Sequence, residues 1–294
     1  RSNYSNTYTK KRVIDFNNAS RFDSVLYQYP EAGNSNSTGF ISGSLASLEQ
    51  NLAVTIEADI YFPKKATMAE NGYVDTPFVT ASLFGTHQAD STDETNLTWE
   101  STDSGSIQIF AIRDEIDSPN VAFAFSSSTD TFNASATSTT FKNVYDNNKW
   151  TLALRVKPTG YPVQGIVENT SDDSYTIELY GVNYGGDRIQ NEFTISATTT
   201  QDNSQKFLKS AKRVFAGAHR ENTTGSVQQQ TDVRVSAVRY WMTHLSDAEV
   251  QSHARDPLNY GVDYAGENSF LLNSALSASY IPKIATLALN WDFS

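Results

Sequence analysis

Glu57 and Asp59 stand two positions apart in a run that alternates Leu52, Val54, Ile56, Ala58, Ile60 and Phe62 with Ala53, Thr55, Glu57, Asp59 and Tyr61. A period of two belongs to a strand, so one face is apolar and the other carries both carboxylates. Paired carboxyls on one face are the means of glycoside hydrolysis. One acts as nucleophile and the other as acid, about 5–5.5 Å apart in a retaining enzyme. The plain alternative is a strand whose polar face meets water. Tyr61, next on that face, brings no third acid.

The other reactive residue types form no motif. The histidines, His87, His219, His244 and His253, make no HExxH or other close-spaced metal pair, and His244 and His253 flank a helix start. No G-x-S-x-G and no Walker A motif is present, so nucleophilic hydrolysis and nucleotide binding have no footing. There is no cysteine, which removes disulfides and thiolate metal sites and suits folding in a reducing compartment.

The elements that must hold these residues are strands. Val233, Val235, Ala237 and Trp241 fall on one parity, with Arg234 and Ser236 on the other. The second parity turns apolar at Val238 and Tyr240, so this strand is expected to be covered on both sides at its far end. The period then changes. Ser246 is placed to cap a helix over Asp247 to about Ala254, with Glu249 reaching back to the cap and Leu245 packing on Val250, and Pro257 ends it.

Upstream, Val13, Phe78 to Gly85, Ser106 to Arg113, Asn120 to Ser126, Trp150 to Val156, Tyr175 to Tyr180, Phe193 to Ser196 and Val214 to Ala218 mark further short strands. Gly33 to Gly43 reads as a loop, residues 126–140 as a surface excursion, and Gly181 as the turn that ends the Tyr175 strand. Many short strands, one short helix near the C-terminal end and no strand–helix alternation predict an all-β sandwich of two antiparallel sheets. Residues 1–11 read as a polar arm, 12–262 as the sandwich domain, and 263–294 as a linker of small residues with a terminal strand. That strand, Ile284 to Phe293, either completes the sandwich or opens a following domain; the likeness of LNWDFS to VIDFNN at Val13 favours the second.

With 294 residues a substantial core is available, since about 70–75% of the extended surface can be buried at this size. The 33 acidic and 22 basic residues leave a net charge of −11, which repels nucleic acid and anionic lipid. No apolar run reaches the length of about 20 residues that a membrane helix needs, so no membrane insertion is expected. The first residue is Arg, which is read as the start of an excised or processed piece.

Two stretches carry a resemblance. The strand ending in Trp241 followed by HLSDAEV, and the strand entered through NNKW with Trp150, Leu152, Leu154 and Val156, resemble the corresponding segments of concanavalin A-like, laminin G-like jelly rolls. Thr151 stands where that family usually has His. The phrases AGAHRENTTGSVQQQTDVRVSAVRYW and HARDPLNYG, with Leu287 to Phe293, are similar to laminin G-like domains in large structural proteins of marine bacteriophages.

The resemblance implies a jelly-roll sandwich, and it sharpens the reading of three groups of residues. Laminarinase-type endoglucanases of this fold carry Glu-x-Asp-x-Glu on such a strand. With Tyr61 in place of their acid, Glu57 and Asp59 are expected to be a solvated polar face, and no catalytic residue is assigned. Domains of this kind also bind sugars through aromatic faces with polar neighbours. The candidate ligand-binding residues are Trp99, beside Asn96 and Glu100, and Tyr180 with Tyr184, Asp187 and Arg188. Laminin G-like domains often hold calcium at the rim, for which Asp90, Asp93 and Glu94, or Asp172 and Asp173, offer oxygens. Neither loop has EF-hand spacing, and the expectation is no metal and no cofactor, with Ca2+ as the alternative.

The implied role is a non-enzymatic bacteriophage structural, decoration or host-attachment protein located in the virion. Its partners would be other virion proteins, copies of itself, or cell-surface glycans. The alternative is a lectin-like carbohydrate-binding module of a secreted or cell-surface bacterial protein; the third reading is a glycan-cleaving enzyme.

Overall fold

The computed structural model describes residues 14–15, 24–29, 53–64, 78–88, 107–128, 131–161, 174–200, 203–204, 207–208, 212–221, 225–256, 269–274, 277–282 and 286–293. In chain order the strands are β1 (Ile14–Asp15), β2 (Ser24–Tyr29), β3 (Val54–Phe62), β4 (Thr80–Gln88), β5 (Ile107–Arg113), β6 (Val121–Ser127), β7 (Ser135–Thr137), β8 (Asn148–Pro158) and β9 (Ser174–Gly185). They continue as β10 (Arg188–Thr200), β11 (Lys212–Gly217), β12 (His219–Arg220), β13 (Val227–Gln229) and β14 (Arg234–Trp241). The helix α1 (Asp247–Arg255) follows, then β15 (Ser269–Ser274), β16 (Ser277–Pro282) and β17 (Leu287–Trp291). Residues 203–204 and 207–208 are also helical.

Two antiparallel sheets form a sandwich. One has the order β1-β14-β3-β8-β9-β10, with β17 also on β14; the other runs β2-β11-β4-β5-β6-β7. The expected strand at Tyr175 is present, and the strands expected at Ser106 to Arg113 and Asn120 to Ser126 form a hairpin in which β5 pairs β6 from Ile107↔Ser127 to Arg113↔Val121. The core lies between the sheets. Ile56, Ala58 and Ile60 of β3, Trp150, Leu152 and Leu154 of β8, and Ile177 and Leu179 of β9 face Ile107, Ile109 and Ala111 of β5 and Phe123 and Phe125 of β6. Each buried Ile, Leu and Phe among them contributes about 1.5–3 kcal/mol by leaving water.

Within β14 the sequence parity breaks. Val235 pairs Ile60 and Ala237 pairs Asp59, so Ser236 sits in a bulge. Beyond it Val238 and Tyr240 take the core side, and Ala237, Arg239 and Trp241 the outer side. The even residues that looked like a second apolar face are the same face, resumed after the bulge. Trp241 is covered nonetheless, because α1 lies over it.

Gly181 is not a turn. β9 continues through it to Gly185, and a Cβ at Gly181 would lie 2.3 Å from Phe193 Cε1. The glycine is there because the Phe193 ring crosses the strand. Phe193 itself stacks on Phe123, with centroids 5.2 Å apart, and reaches Trp150. The real turn is Gly186-Asp187, with Gly186 at φ +64 in the first central position of a two-residue hairpin. The Ser/Thr-rich segment that read as a surface excursion buries Phe132 and adds the edge strand β7.

At the C-terminal end, residues read as a linker form the hairpin β15–β16. β17 pairs β14 at Val238↔Trp291 through Trp241↔Leu287, while β1 pairs the same side of β14 at Ile14↔Val235. The two similar segments VIDFNN and LNWDFS therefore lie end to end along one edge, and the terminal strand joins this sheet. Among the described residues no helix is long and apolar enough to cross a membrane.

Candidate functional site

The outer face of the first sheet, which the alternation in β3 predicts to meet water, is covered by a second layer instead. Thr55, Glu57 and Asp59 are buried, because α1 and the connection that enters it fold back over β3 and β8. The register sets these residues beside Arg155, Ala153 and Thr151 of β8, and beside Trp241, Arg239 and Ala237 of β14. Tyr180 and Val182 on β9, Ala153, Trp241, Leu245, Val250 and Ala254 make a small second core between sheet and helix. Leu245 and Val250 bracket the helix start as the sequence anticipated.

Glu57 is the centre of this layer, at 2% exposure. Its Oε1 accepts from Arg239 Nη1 at 3.0 Å and from Trp241 Nε1 at 3.1 Å, and its Oε2 meets His253 Nδ1 at 3.0 Å. Burial alone would raise this carboxyl, but the hydrogen bond and charge of His253 and the charge of Arg239 hold it below the ordinary carboxylate range. A group kept ionised and shared among three donors is not an acid waiting to give up a proton. Asp59 accepts from Thr151 Oγ1 and pairs with Lys149 Nζ at 2.9 Å. The same Lys149 Nζ donates to Ala254 O at 3.0 Å, satisfying a carbonyl at the end of α1.

The remaining outward residues hold the entry to the helix. Thr55 Oγ1 donates to Thr243 O at 2.8 Å and accepts from Leu245 N at 3.0 Å. Arg155 Nη1 donates to Leu245 O at 3.1 Å and to Asp247 Oδ1 at 2.6 Å. The capping box is complete, with Ser246 N to Glu249 Oε2 at 2.6 Å and Glu249 N to Ser246 Oγ at 3.3 Å. The polar row of two strands is thus a dock for one helix.

The proposed ligand-binding residues separate. Trp99 lies outside the described residues, as do Asn96, Glu100, Asp90, Asp93, Glu94, Asp172 and Asp173. Tyr180 belongs to the second core at 1% exposure; its Oη accepts from Gln251 Nε2 at 2.9 Å and donates to Glu192 Oε2 at 3.2 Å, and Arg155 covers the ring at 5.2 Å. It presents no face to a sugar. Tyr184 is half-buried with Arg255 5.2 Å from its ring centre, and Asp187 and Arg188 are exposed at the hairpin tip. These last three share one end of the β9–β10 ribbon, apart from the buried ring.

A half-open cluster carries no signature in the sequence. Tyr161 and His244 bring their rings to 5.3 Å, Lys157 Nζ lies 3.3 Å from His244 Nε2, and Lys157 pairs with Glu178 at 2.6 Å. Tyr161 follows a glycine in a loop and His244 sits in a connection, so no periodic pattern linked them. The cluster sets an aromatic ring, an imidazole, an ammonium and a carboxylate at one end of the face that α1 covers.

The other histidines are packing groups. His87 stacks on His219 at 5.1 Å, both lie against Phe215, and His219 Nε2 is 3.2 Å from Gln108 Nε2. Burial, then His219 and Arg213, pull His87 down to about 3; burial takes His219 to about 4. A second buried ionic group ties β5 to the approach to β14. Arg113 pairs with Asp232, Tyr145 Oη donates to Asp232 Oδ1 at 2.7 Å, and the guanidinium lies 4.1 Å above the Tyr145 ring. Among the described residues no three His, Cys, Asp or Glu side chains are grouped to hold a metal ion.

No protein-family profile matches this chain, and no curated protein matches it. Among solved structures, the full-length tailspike protein 2 (ORF211) of Escherichia coli O157:H7 bacteriophage CAB120 aligns at 12% identity and a TM-score of 0.40, over 84% of this chain. The chain spans 24% of that tailspike's length. The CBM40 of the Ruminococcus gnavus IT-sialidase, bound to alpha2,3 sialyllactose, aligns at 11% identity and a TM-score of 0.33, covering 80% of this chain and 99% of that one. The CBM2 module of the evolved Dit of Lactobacillus casei BL23 phage J-1 aligns at 9% identity and 0.30, covering 76% and 70%. These likenesses are too slight to bear on what the chain does.

Proposed function

We propose that this chain is a non-enzymatic, laminin G-like module of a bacteriophage particle, used in decoration or attachment to the host surface. The observation that supports the non-enzymatic part is the state of Glu57 and Asp59. The two carboxylates whose spacing best suited glycoside cleavage lie under α1 and are committed to Arg239, Trp241, His253, Thr151 and Lys149. The viral part rests on the resemblance of Ala216 to Gly261 to phage structural domains. Quantitative mass spectrometry of purified particles tests it: the chain is expected at many copies per particle, and its recovery only as a free secreted protein would overturn the reading.

A carbohydrate-binding role is the second reading, favoured by the Tyr161, His244, Lys157 and Glu178 cluster and by the exposed Asp187 and Arg188. A ring with charged hydrogen-bonding neighbours suits a sugar ring and its hydroxyls. Under this reading a glycan array gives a saturable signal that Tyr161→Ala removes.

A further inference from the structure

Strand β10 forms one margin of the seven-stranded sheet. β9 pairs one side of it from Arg188 to Thr200, and among the described residues no strand pairs with the other. From Asn191 to Thr200 the register is unbroken; the one irregularity lies between Ile189 and Asn191. An edge of this length offers unpaired N–H and C=O groups to any passing strand, and proteins usually blunt such edges with Lys, Pro or a central bulge. Here residues 189–200 contain no Lys, Arg or Pro, and Glu192 is their one charge. Phe193, Ile195 and Ala197 pack on the core yet stay half-open, while Glu192, Thr194, Ser196 and Thr198 are exposed.

We propose that two copies of this chain join through β10, antiparallel and centred on Thr194, so that the two seven-stranded sheets run on as one. The strand is complementary to itself in that register. Thr194 faces Thr194, Phe193 faces Ile195, and Glu192 faces Ser196, so apolar pairs close the half-open row and no like charges are opposed. The two Glu192 side chains fall four residues apart along the ribbon, about 14 Å, which exceeds the screening length of about 8–10 Å. On a chain of net charge −11, this near-neutral strip is where a second copy can approach. The inference goes beyond the viral or lectin reading and does not depend on either.

Light scattering after size exclusion, run on the 294-residue chain over a dilution series, is the test. A dimer is expected. Thr194→Lys, at an exposed position on the two-fold itself, should raise the dimer dissociation constant about tenfold or more, by setting two ammonium groups across the two-fold, with the circular dichroism unchanged. Because the chain has no cysteine, Thr194→Cys gives an independent reading: mild oxidation should trap a dimer, whereas Cys at exposed Asn290 should not. A wild-type monomer at every concentration, a dimer that survives Thr194→Lys, or equal cross-linking from position 290 would each overturn the proposal. A wild-type monomer that captures a different virion protein through β10 would likewise overturn it, in favour of an unlike partner strand.

Discussion

Trp241 and His253 lie nearly parallel, with centroids 5.4 Å apart and planes 11° from parallel, and both reach the carboxylate of Glu57. One belongs to the last residue of β14 and the other to α1, so the stack and the shared carboxylate fix the angle at which the chain leaves the sheet and returns over it. Thr55, Arg155 and Lys149 hold the same segment at its entry and its end. The helix is bonded to the sheet along its length by residues that a sandwich strand would ordinarily give to water.

The Arg113–Asp232–Tyr145 group predicts a strongly coupled pair of variants. Asp232→Asn leaves a buried guanidinium without its charge partner and should cost about 3–5 kcal/mol. Tyr145→Phe removes one hydrogen bond to that carboxylate and should cost about 1.5–3 kcal/mol. Urea unfolding of the double variant should show less than the sum of the two, since both act on Asp232.

His87 and His219 set an acid limit. Their folded pKa values lie below the ordinary 6.5, so the unfolded chain binds protons that the folded chain refuses. Their contribution is fully present above that ordinary value and is lost as the pH falls through it toward the folded values of about 3 and 4. The urea midpoint should therefore drop between about pH 7 and about pH 5, and His219→Gln, which can still reach Gln108, should flatten that dependence. An equal slope in the variant would remove His219 as a cause.

Gly181 gives a steric test. A methyl group there meets the Phe193 ring at 2.3 Å and Leu152 at 2.9 Å, so Gly181→Ala should destabilise by about 1–3 kcal/mol. Phe193→Leu in the same chain should recover part of the loss, measured as thermal midpoints of the four proteins.

The strand framework was legible because its core face obeys a period of two: Ile56, Ala58 and Ile60 or Trp150, Leu152 and Leu154 can sit nowhere else. The helix start was equally plain, since Ser246, Glu249, Leu245 and Val250 specify it locally. What the sequence hid were the consequences of a second layer. A strand with Glu57 and Asp59 on its outer face looks the same whether water or a helix covers it, and only the position of His253, distant in sequence, decides. The bulge at Ser236 likewise made one continuing face look like two. Gly181 was misread because a glycine demanded by a crossing ring and one demanded by a turn leave the same mark. Tyr180 looked available for a ligand for the reason Glu57 looked solvated.

The claim that the paired carboxylates are architecture is tested most directly by equilibrium urea unfolding of Glu57→Gln. The amide is neutral and leaves Arg239 and His253 facing it in a buried layer, so the variant should lose about 3–5 kcal/mol of stability. A variant within about 0.5 kcal/mol of the parent chain would contradict the account, because a carboxylate removable at so little cost is not what holds α1 to the sheet.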